Sequence, residues 1–324
     1  MKIVFFGTPG FAADNLDALL DYGFDVVTVV TPPDSKSGRG KVLKACDVKK
    51  RAIKRNIPVL QPHKLRDSNF INDLYKLDAD LFIVVAFRML PEIVWKIPPK
   101  RTINLHTSLL PNYKGAAPIN WVLINGEKNT GVTTFYIDQD IDSGEILLQE
   151  DVVLNYDLTA ADLHDILLEK GKSVLVNTVK MINSNCIKSS KQNNTLTHNL
   201  APKINKEILK INWTLKAEKI HNLVRGLSPY TKNVIVKNVA IFPSAWTYLD
   251  DGKGENKRIK IHLTEIIHNH STSPDLKTDN KSYLHVPTGE GLISILRLQI
   301  EGKNPITISQ FLLGNKITKF HRFL

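Results

Sequence analysis

Two residues with side chains suited to acyl-transfer chemistry lie two apart in the run Asn104-Leu105-His106-Thr107-Ser108-Leu109-Leu110-Pro111. Strand alternation sends Asn104 and His106 to one face, about 7 Å apart along the chain. An Asn amide N–H can hold a carbonyl oxygen as negative charge builds on it. An imidazole moves a proton readily near neutral pH. Further along, Asp138, Asp140 and Asp142 crowd a turn that closes on Ser143-Gly144. A carboxylate from that turn could fix the imidazole tautomer and steady the imidazolium. No Ser or Cys nucleophile is needed if the attacking group is an amine carried by the substrate. In isolation, Asn104 and His106 could equally serve to satisfy backbone groups at a strand end.

The elements around these residues suggest how they are positioned. Lys2 to Gly7 reads as a buried parallel strand, Phe11 to Asp21 as a helix and Asp25 to Thr31 as a second strand, a βαβ opening that predicts a doubly wound, mostly parallel α/β sheet. Asp80 to Phe87 and Arg101 to Leu105 are further buried strands, and Ile119 to Ile124 begins a helix with Pro118 in its first turn. Asn104 and His106 then stand at a carboxyl strand edge, where open α/β sheets bind ligands. The turn Gly7-Thr8-Pro9-Gly10 lacks the dinucleotide fingerprint, which argues against an NAD site; Gly7 and Gly10 instead suit close helix–sheet approach. Thr130 to Tyr136 and Ile146 to Val153 read as strands flanking the acidic turn, whose spacing does not match a calcium loop. Thr159 to Asn183 is an amphipathic helix with Thr159 and Asp162 at its start, expected to close the first domain.

A chain of 324 residues favours two domains over one. We place a first domain at 1–188, a polar linker at 189–206 and a second domain at 207–324. Short β-rich runs at 233–242, 258–268, 283–286 and 292–299 follow a helix near 216–226 and predict a small C-terminal β-barrel. With two cysteines, no apolar run long enough to span a bilayer and no signal or transit segment ahead of the first strand, the expectation is a cytoplasmic protein with no membrane partner and no disulfide or metal framework. His262, His268 and His270 have no acidic or Cys partner at ligand spacing and read as surface or strand residues. The formal charge is +11, and it is uneven: residues 34–66 carry 11 Lys/Arg against 2 Asp/Glu, and residues 207–324 carry 17 against 10. Two separate basic stretches point to a polyanionic partner. Thr31 to Lys44 reads as a loop, and Gly38-Arg39-Gly40 within it sets one guanidinium between glycines, suited to gripping phosphate.

The run from Asn104 to Pro111, with Lys114-Gly115-Ala116-Ala117-Pro118-Ile119 and Asp140-Ile141-Asp142-Ser143-Gly144-Glu145-Ile146, closely resembles the folate-dependent formyltransferases, and the resemblance extends over nearly the whole chain. It implies a formyltransferase-like Rossmann variant followed by an OB-like barrel. It further implies Asn104, His106 and Asp142 as the catalytic trio and 10-formyltetrahydrofolate as formyl donor, with no metal. Phe87, Arg88, Met89 and Leu90 would meet the pterin ring, and Ser108, Leu109, Leu110 and Pro111 would form part of the folate site. The basic loop, with Arg39, Lys41 and Lys44, resembles the segment that tRNA-directed members set against an acceptor stem. The implied acceptor is therefore initiator methionyl-tRNA, and the expected enzyme is a monomer with no obligate protein partner. Two other readings remain open: a formyltransferase acting on a nucleotide-sugar amine or glycinamide ribonucleotide, and a non-catalytic RNA-binding protein on an enzyme fold.

Overall fold

The computed structural model describes residues 1–37, 42–193, 198–231, 242–267 and 273–324. These group into two compact units. The first contains Met1–Gly115, Thr130–Val152 and Ile166–Leu200; the second contains Ala116–Asn129, Val153–Asp165 and Ala201–Leu324.

In chain order the first elements are β1 (Lys2–Gly7), α1 (Gly10–Asp21), β2 (Asp25–Val30), β3 (Ser35–Ser37), β4 (Val42–Lys44), α2 (Asp47–Lys54), β5 (Val59–Leu60) and α3 (Ser68–Lys76). They continue with β6 (Leu81–Val85), α4 (Glu92–Trp95), β7 (Thr102–His106), α5 (Pro118–Ile124), β8 (Asn129–Tyr136), β9 (Ile146–Val153) and α6 (Ala160–Asn183). Seven strands form one sheet in the order β5-β2-β1-β6-β7-β8-β9. Pairing is parallel from β5 through to β7, and β7 to β8 is antiparallel. The chain moves outward from β1 to β2 and then returns to place β6 on β1's other side. That reversal opens a crevice at the carboxyl ends of β1 and β6, beside β7. Val4, Phe6, Phe82 and Val84 point to one face and pack in a cluster with Phe70 and Leu74 of α3 and Val94 of α4. The Val84–Asn104 register puts Asn104 on that same face.

Gly7 lets α1 approach as expected, since a Cβ there would lie 2.8 Å from both the Ala12 Cβ and the Phe5 ring. Gly10 has no such neighbour; the nearest atom is Asp47 Oδ2 at 3.8 Å, so it is open space rather than close packing that surrounds it. Where a plain loop was read at Thr31 to Lys44, β3 and β4 pair as an antiparallel ribbon, with Ser35 opposite Lys44. The alternation that forms this ribbon is too short to stand out from its Pro, Gly and Ser content. Helix α6 carries the expected cap: Asp162 Oδ2 accepts from the Thr159 N–H at 2.9 Å, and Thr159 Oγ1 accepts from the Asp162 N–H at 3.2 Å. Its stripe of Leu163, Leu167, Val174 and Thr178 is buried, but its first turn groups with the second unit.

The second unit adds α7 (Ala217–Leu227), β10 (Ala245–Asp250), β11 (Asn256–Ile267), β12 (Lys277–Thr278), β13 (Leu284–Pro287), β14 (Leu292–Ile300), β15 (Ile306–Thr307), α8 (Ile308–Gly314) and β16 (Arg322–Phe323). An antiparallel sheet in the order β12-β13-β14-β11-β10-β16, with β15 beside β14, curls into the expected OB-like half-barrel. Its concave face packs Ile220, Val224 and Leu227 of α7 with Ile259, Ile261, Ile293, Ile295 and Leu298, and with Phe311 of α8. Strand β10 and helix α8 were not anticipated. Most of the strand expected at 233–242 lies outside the described residues, as do His268 and His270. Among the described residues no helix is long and apolar enough to cross a membrane.

His262 is a strand residue, yet it is buried rather than at the surface. Its Nδ1 lies 3.0 Å from Ser244 Oγ, the Tyr230 ring meets it edge-on, and Nε2 has no partner among the described residues. Burial, aided by the nearby Lys260 and Arg297 charges and opposed by Gln299, pushes its pKa down from 6.5 to about 4. The unfolded chain therefore takes up this proton at a higher pH than the folded one. Acidification from 6.5 towards 4 is expected to remove about 3 kcal/mol of stability through this residue. Urea midpoints at pH 7 and pH 4.5 should show this loss, and His262→Gln should flatten it; an equally steep dependence in that variant would assign the loss to other groups.

Candidate active site

His106 closes β7 and is buried at 7% exposure, with its ring edge-on to Phe135 at 6.5 Å between centroids. Its Nε2 lies 2.9 Å from the Tyr113 carbonyl oxygen. A carbonyl can only accept, so Nε2 carries the proton and Nδ1 is the unprotonated nitrogen. That Nδ1 stands 3.7 Å from Asp142 Oδ2. The gap is about half an ångström beyond N–H···O range, and the same carboxylate oxygen already accepts the Gly115 N–H at 2.9 Å. One short loop, Tyr113 to Gly115, thus supplies an acceptor to the imidazole and a donor to the carboxylate. Sequence reasoning missed both contacts, because they are made by main-chain atoms and leave no mark in residue type.

Asn104 is half-buried, and its side-chain amide makes no hydrogen bond with the described residues. It shares its strand face with His106, so a free amide N–H and the imidazole border the same space. Asp142 gets there by way of a turn built from its neighbours. Asp138 Oδ1 accepts from the Asp140 N–H at 3.1 Å and from Ser143 Oγ at 2.6 Å, so Asp138 pins the turn, while Asp140 is exposed. Arg101 and Ser189 bond Glu145 at the turn's end and hold its carboxyl below the usual range. Backbone strain gathers here. Ala86 after β6, Tyr113 and Asp142 have φ of 47°, 61° and 51°, left-handed conformations that non-glycine residues adopt at a cost of about 1 kcal/mol or more each.

Two further stretches border the crevice. After β6, Arg88 donates to the Pro62 and His63 carbonyls at 2.6 and 3.2 Å and lies over the Phe87 ring; burial lowers its pKa. Its guanidinium therefore ties two loops together and is not free for a ligand. The backbone groups of Arg88, Met89 and Leu90 enter no main-chain hydrogen bond among the described residues, and Met89 is exposed while Leu90 is buried. The stretch after His106 is the opposite case. Ser108 Oγ donates to the Asn112 carbonyl, the Ser108 carbonyl accepts from Thr133 Oγ1, and the Leu110 N–H and carbonyl bond Thr133 and Gln149. Ser108 and Leu110 are buried, so what this stretch offers a ligand is apolar contact from Leu109 and Pro111, which are half-buried.

For the basic loop, Arg39 and Lys41 lie outside the described residues. Lys44 ends β4, exposed, and forms no ion pair among the described residues. The basic side chains of α2 are largely neutralised by their neighbours: Arg51 pairs with Asp14 and Asp17, Arg55 with Asp17 and Asp21, and Lys49 with Asp34. Part of the positive excess of residues 34–66 thus holds α1 against α2.

The described residues bring an amide, an imidazole and a carboxylate together at the carboxyl edge of a doubly wound α/β sheet, a set suited to group-transfer chemistry. Comparison with known proteins makes this specific. Residues 1–179 match the formyl transferase family, and residues 203–316 match the formyl transferase C-terminal domain; the chain belongs to the formyl transferase family. It is 41% identical over 315 residues to the methionyl-tRNA formyltransferase of Flavobacterium johnsoniae, covering 97% of this chain and 96% of that protein. It is 42% identical over 322 residues to the methionyl-tRNA formyltransferase of Azobacteroides pseudotrichonymphae, with 97% and 96% covered. Among solved structures, WlaRD, a sugar 3N-formyl transferase crystallised with dTDP and 5-N-formyl-THF, aligns over 94% of this chain and 99% of its own with a TM-score of 0.66. At 22% identity that likeness is one of fold.

Proposed function

We propose that this protein is an enzyme that transfers a formyl group from 10-formyltetrahydrofolate to the α-amino group of methionyl initiator tRNA, yielding the N-formylated tRNA used to start translation. The family and the names of relatives aligned over 96% of their length support the reaction. The observation that carries it is the convergence of the Asn104 amide, unbonded among the described residues, the His106 imidazole and the Asp142 carboxylate at the carboxyl end of β7. The site also fits the donor in kind: Arg88, Met89 and Leu90 present backbone donors and acceptors that no main-chain group among the described residues uses, as a pterin edge requires, and Leu109 offers apolar contact. When bound, the folate supplies an activated formyl group on nitrogen.

In this reading the Asn104 N–H donates to the formyl oxygen as it gains charge. His106, held through Nε2 by Tyr113, presents Nδ1 towards Asp142; this pair accepts the proton that the attacking amine sheds and returns it to the folate nitrogen as that nitrogen's bond to the formyl carbon breaks. Asp142 balances the positive charge that the imidazole gains when Nδ1 takes up that proton. Phe87, Arg88, Met89, Leu90 and Ser108 to Pro111 shape the donor site. We assign catalysis to 1–188, a linker to 189–206 and tRNA binding to 207–324, in a monomer working in the cytoplasm.

Acceptor assays test the reading. Formylation of charged initiator tRNA, with none of a nucleotide-sugar amine or glycinamide ribonucleotide, is expected; the reverse pattern would reassign the acceptor, and no transfer to any amine would end the enzyme reading. Arg39, with Lys41 and Lys44, is assigned to tRNA contact. Arg39→Ala should raise the KM for tRNA several-fold and leave the KM for folate unchanged, since a lost phosphate contact weakens binding without touching the donor pocket. An unchanged tRNA KM would remove the loop from recognition.

A further inference from the structure

Gln192, Asn199 and Leu200, which follow α6, contact both arms of the site. Gln192 Nε2 donates to the Asp142 carbonyl at 2.9 Å and to the Gly144 carbonyl at 2.8 Å. Only the amide nitrogen can meet two acceptors at once, so the side-chain orientation follows from its partners. Its Oε1 is buried and finds no partner among the described residues. A buried amide oxygen without a partner is destabilising, so whatever this side chain contributes comes through its nitrogen. Seven residues later, the Asn199 carbonyl accepts the Tyr113 N–H at 2.6 Å, and Leu200 bridges Lys114. Tyr113 is the residue whose carbonyl fixes the His106 proton on Nε2.

We infer that Gln192 is a positioning residue for Asp142: by gripping the carbonyls on either side of Ser143 it holds the left-handed Asp142 backbone, and so sets the carboxylate's distance from His106 Nδ1. This rests on the assignment of Asp142 to the reaction. Nothing else among the described side chains ties the Asp142 and Gly144 carbonyls together, and the Asp142 φ of 51° is one that a freed turn would tend to leave.

The test is a double-mutant cycle. Gln192→Leu, close in volume and without a donor, is expected to lower kcat about 10-fold, with both KM values within twofold, because small displacements of a catalytic group cost rate more than binding. In an Asp142→Asn background the same substitution should change kcat less than twofold, whereas multiplying losses would show that Gln192 acts elsewhere and overturn the inference. A second readout needs no turnover. The 15N resonances of the His106 ring should move in the same sense in Gln192→Leu as in Asp142→Asn, and an unmoved ring would also overturn it. Should Gln192→Leu fail to fold, Gln192→Glu keeps the shape and loses the N–H donors; it is expected to show the same kcat loss, and wild-type turnover would sink the proposal. A wild-type protein inactive towards every amine would instead defeat the functional reading, leaving the ring resonances to decide on positioning.

Discussion

Asn104→Ala is expected to lower kcat for formyl transfer by at least ~10²-fold, the usual cost of losing one oxyanion donor. Its melting temperature should stay within a few degrees of wild type. The two halves of this prediction come from one observation: the Asn104 amide is half-buried and bonded to none of the described residues, so its removal strands no partner and opens no deep cavity. His106→Ala is expected to cost at least as much in rate, but it also leaves the Tyr113 carbonyl without its donor at a buried position, so its stability should fall too. Steady-state kinetics beside thermal denaturation separates the two variants. Near-wild-type turnover in folded Asn104→Ala would remove the amide from the chemistry.

Gly144→Ala should be the most damaging single-methyl change in the site. A Cβ at this position would lie 1.7 Å from the Tyr136 carbonyl oxygen and 2.8 Å from its carbon. Both atoms belong to the backbone at the end of β8, where the Tyr136 N–H also bonds the Glu145 carbonyl at 2.9 Å, so the strand cannot step aside alone. The turn must move instead, and Asp142 moves with it. Overpacking of this kind costs about 1–3 kcal/mol, and a carboxylate displaced by an ångström can cost ~10²-fold in rate. Chemical denaturation and kcat should both record it. Asp140→Ala, at an exposed position in the same turn, should stay within about 0.5 kcal/mol of wild type, because Asp138 still receives the residue's main-chain N–H. Equal behaviour of the two variants would mean that the turn tolerates far more movement than its contacts imply.

Much of the architecture could be read before any coordinates. The buried runs at Lys2 to Gly7 and Leu81 to Val85 are too continuously apolar to be anything but interior strands, and Thr159 with Asp162 marks the start of α6 through chemistry that acts within one turn. Harder cases were those where pattern and packing disagree. Strand β10 alternates buried and half-exposed residues, yet two of its three outward positions are Trp246 and Tyr248, apolar enough to blur the period. The basic face of α2 gave a true count of charges and a misleading picture of their freedom, because the acids that pair with Arg51 and Arg55 lie on α1, more than thirty residues earlier.

Side-chain chemistry was therefore what the amino-acid order decided for this protein: which amide, imidazole and carboxylate exist, and that strand alternation sets Asn104 beside His106. The tertiary structure decided how they are held. Tyr113 gives a carbonyl to the imidazole, Gly115 gives an N–H to Asp142, and Gln192 closes the turn from 50 residues away. Main-chain donors and acceptors are the same in every residue but proline, so only folding, which chooses their partners, can give them a role.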